Sequence, residues 1–228
     1  MKLQKKQTAS ELTKRYLLLV VGLFFSALGV AFTKHGELGV SPISSVANVL
    51  SLKMTALSLG NWLIVWNCVL ILGQIVILRR RFQPVQFLQI PLSFVFGWFT
   101  DLGMRLVEGI QVDVYPVRIL MIVIGTVVLG FGIALSVKAN VIMNSGEAFV
   151  KAISDSLHRN FGNVKIAFDV SCVVLAVLLS LLFFDWSIIG TREGTVISAL
   201  CTGIVVKFFL KRLQQPLTHL LQVKKAVE

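Results

Sequence analysis

The apolar stretch LLLVVGLFFSALGVAF, residues 17–32, has a counterpart further along the chain in LMIVIGTVVLGFGIAL, residues 120–135. When the two are aligned without a gap, at an offset of 103, glycine and alanine positions coincide. The coinciding pairs are Gly22 with Gly125, Gly29 with Gly132 and Ala31 with Ala134. Similarity at a fixed spacing indicates an internal repeat. We therefore predict a duplicated chain, with repeat one at about 15–107 and repeat two at about 116–212.

The composition identifies the class of protein. Of the 228 residues, 56% are hydrophobic and 14% are charged, and the mean hydropathy is +0.83. A soluble domain needs a more charged exterior. Six apolar runs approach or exceed the roughly 18 residues that a helix needs to cross a bilayer. They are Tyr16–Thr33, Gly60–Leu78, Val85–Asp101, Ile119–Ser136, Ile166–Phe184 and Thr195–Val206. We predict an all-α membrane protein with six transmembrane helices. The whole chain, 1–228, forms one membrane domain that is embedded in the lipid bilayer.

The net charge of +11 is unevenly distributed along the chain. Seventeen of the 22 Lys and Arg residues lie in the segments 1–15, 79–83, 137–165 and 207–228, and the other five lie in the alternating connections. Cytoplasmic connections are the ones enriched in Lys and Arg. We expect a multi-pass membrane protein with both termini in the cytoplasm. The basic residues set this orientation and imply no nucleic acid partner.

Each predicted repeat contains three spans, an odd number, so the two repeats must lie upside down relative to each other. The charge distribution gives the same topology independently. Gly22 and Gly29 are two turns apart on one helix face, as are Gly125 and Gly132. Small residues at such spacing let two helix backbones approach closely. We expect spans one and four to pack through these glycines.

Each half continues after its first span with a short helix. Ser41 is a good N-cap, and Pro42 suits the first helical position, where a missing N–H costs nothing. In the second half, Asn144 or Ser145 can cap, and Glu147 lies in the first turn, where the helix dipole favours a carboxylate. We predict helices over 42–53 and 145–157. At 1.5 Å per residue each is about 18 Å long, too short to span a bilayer.

Polar residues form one stripe along each short helix. The first stripe is Ser44, Asn48, Ser51 and Thr55, and the aligned second stripe is Glu147, Lys151, Ser154 and His158. Two interpretations are open. The helices are either amphipathic helices on the membrane surface, with the stripe in water, or re-entrant half-helices whose stripe lines a central cavity and whose N-termini favour an anion. Lys151 is spaced to pair with Glu147 in either case.

Two polar positions inside the spans also align, Asn67 in the second span and Asp169 in the fifth. Polar and ionisable groups at such depth are costly and usually face protein or water. Asp169 is four residues from Lys165, and Asp101 is four residues from Arg105, so each carboxylate is also spaced to form an ion pair on its own helix. A purely structural role therefore stays open for Asp169 and for Asp101. The three cysteines and three histidines are scattered. We expect no metal and no cofactor.

These features resemble the YczE/YyaS/YitT-type family of bacterial integral membrane proteins. The similarity covers about 15–210 and is carried by GLFFSALGVAF at 22–32, LGVSP at 38–42, LSLGNW at 57–62 and their second-half counterparts. The family usually has Trp-Asp after the Ser-Pro, whereas Ile43-Ser44 follows here, and an acid remains only in the second half, as Glu147. The resemblance implies a multi-pass protein of the bacterial cytoplasmic (inner) membrane and a family of proposed transporters or permeases. It supports the fold more firmly than the activity.

The leading functional hypothesis is a secondary transporter or permease for a small polar solute that binds between the two repeats. Glu147 is the first candidate for the coupling or binding charge, and Asp169 is the second. The full set of candidate substrate-binding residues is Ser41, Ser44, Asn48, Asn67, Asn144, Ser145, Glu147, Lys151 and Asp169. The alternative is a non-transporting scaffold that regulates a partner enzyme. The sequence contains no Ser/His/Asp set, zinc-protease motif or nucleotide loop, so we expect no enzymatic activity. Assembly into a homo-oligomer stays open.

Overall fold

The computed structural model describes residues 9–159 and 161–221. Over these residues the chain forms helices and loops and no strand. In chain order the helices are α1 (Ala9–His35), α2 (Pro42–Lys53), α3 (Leu59–Leu78), α4 (Gln89–Val107), α5 (Tyr115–Ala139), α6 (Ser145–Leu157), α7 (Phe161–Phe183), α8 (Glu193–Arg212) and α9 (Gln214–Leu221). Two short 3-10 turns, Arg79–Arg81 and Pro84–Leu88, connect α3 to α4.

Six of the described helices are long and apolar enough to cross a membrane, namely α1, α3, α4, α5, α7 and α8. The prediction of an all-α protein with six spans is therefore confirmed. Several helices extend beyond the predicted apolar runs, among them α1 at its N-terminal end and α4 and α8 at their C-terminal ends. Charged residues such as Arg105 and Lys207 belong to these helices, and a search for uninterrupted apolar runs leaves them out.

Helices α1 and α5 form the centre of the bundle and pack along each other over most of their length. Their glycines lie at the contact. A Cβ on Gly22 would come 2.8 Å from the carbonyl oxygen of Gly132, and one on Gly125 would come 2.8 Å from the carbonyl oxygen of Gly29. A methyl group at either place would overlap the opposing backbone, so glycine allows an approach that other residues prevent.

The remaining helices surround this pair in corresponding positions. Helix α4 packs on α1 as α8 packs on α5, and α7 packs on α2 as α6 packs on α3. The correspondence ends at the periphery, because α3 packs along α4 whereas α7 and α8 make few or no contacts. Helix α8 consequently exposes an apolar face formed by Val196, Leu200, Ile204 and Phe208.

The short helices α2 and α6 begin and end at the predicted residues. Both lie against other helices, α2 against α3, α7 and α8, and α6 against α3 and α7. Ser44 is 4% exposed and Asn48 is 1% exposed, so the first part of the α2 stripe is covered by protein. The predicted stripes are too long, however. Thr55 and His158 lie beyond the C-terminal ends of their helices, where both are exposed.

Candidate functional site

The N-terminal ends of α2 and α6 meet inside the bundle. A Cβ on Gly146 would lie 2.9 Å from Cδ1 and 3.3 Å from Cγ2 of Ile43, so these two residues are in direct contact. Because the first four backbone N–H groups of a helix have no partner within the helix, each N-terminus carries a partial positive charge. Two such ends therefore point toward one region between the first and second halves of the chain.

Serine hydroxyls surround the start of α2. The Ser41 hydroxyl donates to Oγ of Ser44 at 2.9 Å, and the Ser45 hydroxyl donates to the carbonyl of Pro42 at 2.6 Å. All three serines are buried. Further along the helix, Asn48 Nδ2 donates to the carbonyl of Gly190 at 2.7 Å. The predicted residues Ser41, Ser44 and Asn48 thus lie on the protected side of α2, and their hydrogen bonds are mostly local.

The start of α6 is held by polar groups from two spans. The backbone N–H of Ser145 donates to Oδ1 of its N-cap Asn144 at 3.0 Å. The Ser145 carbonyl accepts from Gln74 Nε2 on α3 at 3.2 Å, and the Ser145 hydroxyl lies 3.3 Å from that of Ser93 on α4. Gln74 also exchanges two hydrogen bonds with Gln89, at 3.0 and 3.1 Å. This buried network fixes the position of the helix end.

Sequence reasoning did not find three members of this network, Gln74, Gln89 and Ser93. They are between 0% and 2% exposed. A usable signal was present, because an uncharged polar residue within a span normally faces protein and needs a partner. The signal does not identify the partner. Gln74 and Gln89 belong to different helices, on opposite sides of the basic Arg79–Arg81 connection, so no local pattern pairs them.

Glu147 lies one turn into α6 beside an ion pair on α7. Lys165 Nζ contacts both carboxylate oxygens of Asp169 at 2.5 Å, and both groups are close enough to Glu147 to influence its charge. Glu147 Oε2 is buried and has no hydrogen-bond partner among the described residues. Burial raises the pKa of the Glu147 carboxyl above its ordinary value because desolvation penalises the charged form, while Lys165 opposes that rise. One cation therefore faces two carboxyl groups.

Asn67 lies in the middle of α3 and does not join this cluster. Its side chain is 4% exposed, and its Nδ2 has no hydrogen-bond partner among the residues that the structure describes. No hydrogen bond connects it to Asp169, its aligned position in the second half. Asn67 and Gln74 are two turns apart on the same face of α3, so Asn67 lies about 10 Å along the helix from the Ser145 contact.

Two predicted ion pairs are wrong. Lys151 does not pair with Glu147; its Nζ lies 3.4 Å from Asp155, and both side chains of that pair are more than half exposed. Asp101 does not pair with Arg105, because its two carboxylate oxygens accept from the Gly60 N–H at 2.8 Å and the Ser58 hydroxyl at 2.5 Å. Asp101 thus ties the start of α3 to α4, and Lys151 belongs to the exposed side of α6.

Two cavities of unequal size adjoin the short helices. One of about 20 Å³ lies beside Asn144 and Glu147 and is lined on its other sides by residues of α1 and α5 such as Ser26 and Ser136. A second of about 520 Å³ lies at the other end of the bundle, beside Asn48. In the described residues no group of three His, Cys, Asp or Glu side chains is placed to hold a metal ion. The arrangement offers polar binding groups and a titratable carboxyl.

Comparison with known proteins assigns the chain to a family. The model of the family of unknown function DUF6198 matches residues 13–211, nearly the whole chain. The chain belongs to the DUF6198 family. It is also 26% identical over 212 residues to the uncharacterized membrane protein YczE of Bacillus subtilis (strain 168), an alignment that covers 92% of this chain and 91% of that protein. The predicted resemblance to YczE-type proteins is therefore confirmed. No solved structure matches the DUF6198 chain.

Proposed function

We propose that this protein is a secondary transporter or permease for a small polar solute, which binds between two inverted repeats. The observation that carries the proposal is the meeting of the α2 and α6 N-termini at Ile43 and Gly146, with the partly unpartnered carboxyl of Glu147 beside them. Broken or short helices whose ends converge between repeats are the usual way in which transporters build a substrate site. No enzymatic chemistry is part of this proposal.

Inverted repeats are supported by the packing as well as by the sequence. The contacts of α1 with α4 and of α2 with α7 have counterparts in those of α5 with α8 and of α6 with α3. Exchanging the first half for the second maps one set of contacts onto the other. With three spans in each half, the second must run in the opposite direction across the membrane. Both termini would then lie in the cytoplasm, as the Lys and Arg distribution predicts.

Re-entry of the short helices is supported by the depth of their contacts. The Ser145 carbonyl bonds to Gln74, which precedes the end of α3 at Leu78 by four residues, or about 6 Å. Asn144 and Glu147 adjoin Ser26, which lies eleven residues, about 16 Å, along α1 from Arg15, whose side chain bonds the Ala139 carbonyl at the end of α5. A helix on the membrane surface would not reach side chains so far inside two spans.

Glu147 is the group best placed to couple transport to a proton. Burial raises the pKa of its carboxyl, which favours the binding of a proton, and the Lys165–Asp169 pair places one positive and one negative charge beside it. The difference in volume, about 520 Å³ beside Asn48 against about 20 Å³ beside Glu147, fits one stage of an alternating cycle in which the side of Asn48 offers more room to a solute. Movement of one repeat against the other would enlarge the cavity beside Glu147 and reduce the one beside Asn48.

The test is solute-driven proton movement in proteoliposomes that contain a pH-sensitive dye. We expect addition of a transported solute to change the internal pH, and Glu147→Gln, which removes the charge and preserves the side-chain size, to abolish that change. Asp155→Asn is the matched control, because Asp155 lies on the same helix but is exposed. A pH change of equal size in Glu147→Gln and in the unaltered protein would contradict the role of Glu147. The absence of any solute-dependent signal would favour the scaffold alternative.

A further inference from the structure

The larger cavity, of about 520 Å³, opens between the C-terminal end of α1, one side of α2 and the segment 188–192 that precedes α8. Its volume corresponds to about seventeen water molecules at about 30 Å³ each. The charge distribution of the chain predicts that this end of the bundle faces the outside of the cell. The cavity therefore lies where a solute taken up from outside would first meet the protein.

One positive charge in the cavity is not paired. Glu37, which lines it, is 3.0 Å from the guanidinium of Arg118, and Arg192 is 3.3 Å from Glu193. Lys34 also lines the cavity. Among the residues that the structure describes, 9–159 and 161–221, it has no hydrogen-bond or ion-pair partner, although Glu37 attracts its charge at longer range. A partly buried ammonium group without a direct partner favours an anion from solution.

Asn48, a residue with an unsatisfied buried oxygen, also lines this cavity. Asn48 is 1% exposed, and its Nδ2 is occupied by the carbonyl of Gly190. Because that carbonyl requires a donor, the orientation of the amide is fixed and Oδ1 remains, buried and without a partner among the described residues. A buried acceptor without a donor is costly. Oδ1 is shielded from solvent in this state, so a ligand in the cavity reaches it only after the Asn48 amide releases Gly190 and turns toward the cavity, where its oxygen still requires a donor.

We propose that this outer cavity is a binding site for a small anion that also carries an O–H or N–H donor, the class of hydroxycarboxylates and aminocarboxylates. Lys34 binds the anionic group, and Asn48 Oδ1 accepts from the donor group. The inference deepens the proposed function and rests on it, since it names the class of solute that enters from the outer face. The two contacts together distinguish such a solute from a simple anion.

The experiment measures equilibrium binding of glycolate and acetate to the full-length protein in nanodiscs of neutral phosphatidylcholine, by calorimetry. Glycolate carries the hydroxyl donor that acetate lacks. We expect saturable glycolate binding, acetate binding about fivefold weaker because one hydrogen bond is missing, and a loss of at least about tenfold in Lys34→Gln. Lys34→Arg should restore most of the affinity. Lys53→Gln is the control, because Lys53 lies on the same outer side but bonds to the Phe183 carbonyl.

The possible results separate the site from the transport function. Absence of glycolate binding, or equal binding by the protein and a folded Lys34→Gln variant, would overturn the proposed site. So would complete displacement of glycolate by phosphatidylglycerol in the disc, which would assign Lys34 to a lipid headgroup. Glycolate binding without flux of any solute would leave the site intact and refute the transporter. Flux of a cationic or neutral solute without glycolate binding would support the transporter and refute the anion site.

Discussion

Ile43 on α2 lies directly against Gly146 on α6, with its Cδ1 2.9 Å from the position that a Gly146 Cβ would occupy. The two residues are 103 positions apart and follow the N-caps Ser41 and Asn144 by two residues each. This contact brings the corresponding ends of the two short helices together. The contact lies between the first and second halves of the chain, so a movement of one half relative to the other would change it.

The contact predicts a disulfide. In a background without the native cysteines, Ile43→Cys combined with Gly146→Cys should cross-link on mild oxidation. Ile43 Cγ2, a position that the new sulfur at residue 43 can occupy, lies 3.3 Å from the Gly146 Cβ position, so the two sulfurs can meet. A protease site inserted near Gly109 allows detection by non-reducing electrophoresis. Ile43→Cys with Ser156→Cys is the control, since Ser156 lies about 15 Å further along α6 and should not cross-link. Equal cross-linking of both pairs would disprove the specific contact.

The glycine contact between α1 and α5 predicts a large effect of a single methyl group. Gly29→Ala should lower the free energy of unfolding by about 1–3 kcal/mol, because the new Cβ overlaps the backbone of Leu129 and Gly125. Thermal unfolding of the purified protein measures the change. Gly203→Ala on α8 is the matched control, since a Cβ there meets nothing within 4 Å. If Gly29→Ala is as stable as Gly203→Ala, the two helices do not pack as described.

The charge distribution predicts which connections lie outside the cell. Cysteines introduced at Glu37 and Trp186, both exposed, should react with a membrane-impermeant maleimide added to intact cells, and a cysteine at exposed Gln83 should react only after lysis. The background again lacks the native cysteines. Labelling of Gln83→Cys in intact cells would contradict the predicted topology. That topology depends on the Lys and Arg enrichment of the inner connections.

Local signals predicted much of the fold. The bounds of α2 and α6 follow from Ser41 with Pro42 and from Asn144, because capping and the first helical turn depend on neighbouring residues. The aligned glycines predict that spans one and four pack together, as α1 and α5 do. Thr55 was wrongly included in a stripe because periodicity alone does not say where a helix ends, and α2 ends at Lys53.

The partners of charged side chains were harder to predict because tertiary packing decides them. Lys151 has a carboxylate four residues before it and another four residues after it, so the helical spacing rule allows either partner. The structure selects Asp155, since Glu147 turns toward the interior and the Lys165–Asp169 pair. Gln74 and Gln89 meet across the connection between α3 and α4, a contact that no local pattern encodes.

The most direct test of the central claim combines the cross-link with transport. Purified Ile43→Cys/Gly146→Cys protein in proteoliposomes is assayed for uptake of isotope-labelled glycolate, glycine, acetate and an organic amine, before oxidation, after it and after reduction. A protein whose repeats move about the meeting point of α2 and α6 should take up at least one solute, lose uptake on oxidation and regain it on reduction. Uptake that is unchanged in the cross-linked protein would contradict movement at this contact, and no uptake of any solute by the reduced protein would contradict transport itself.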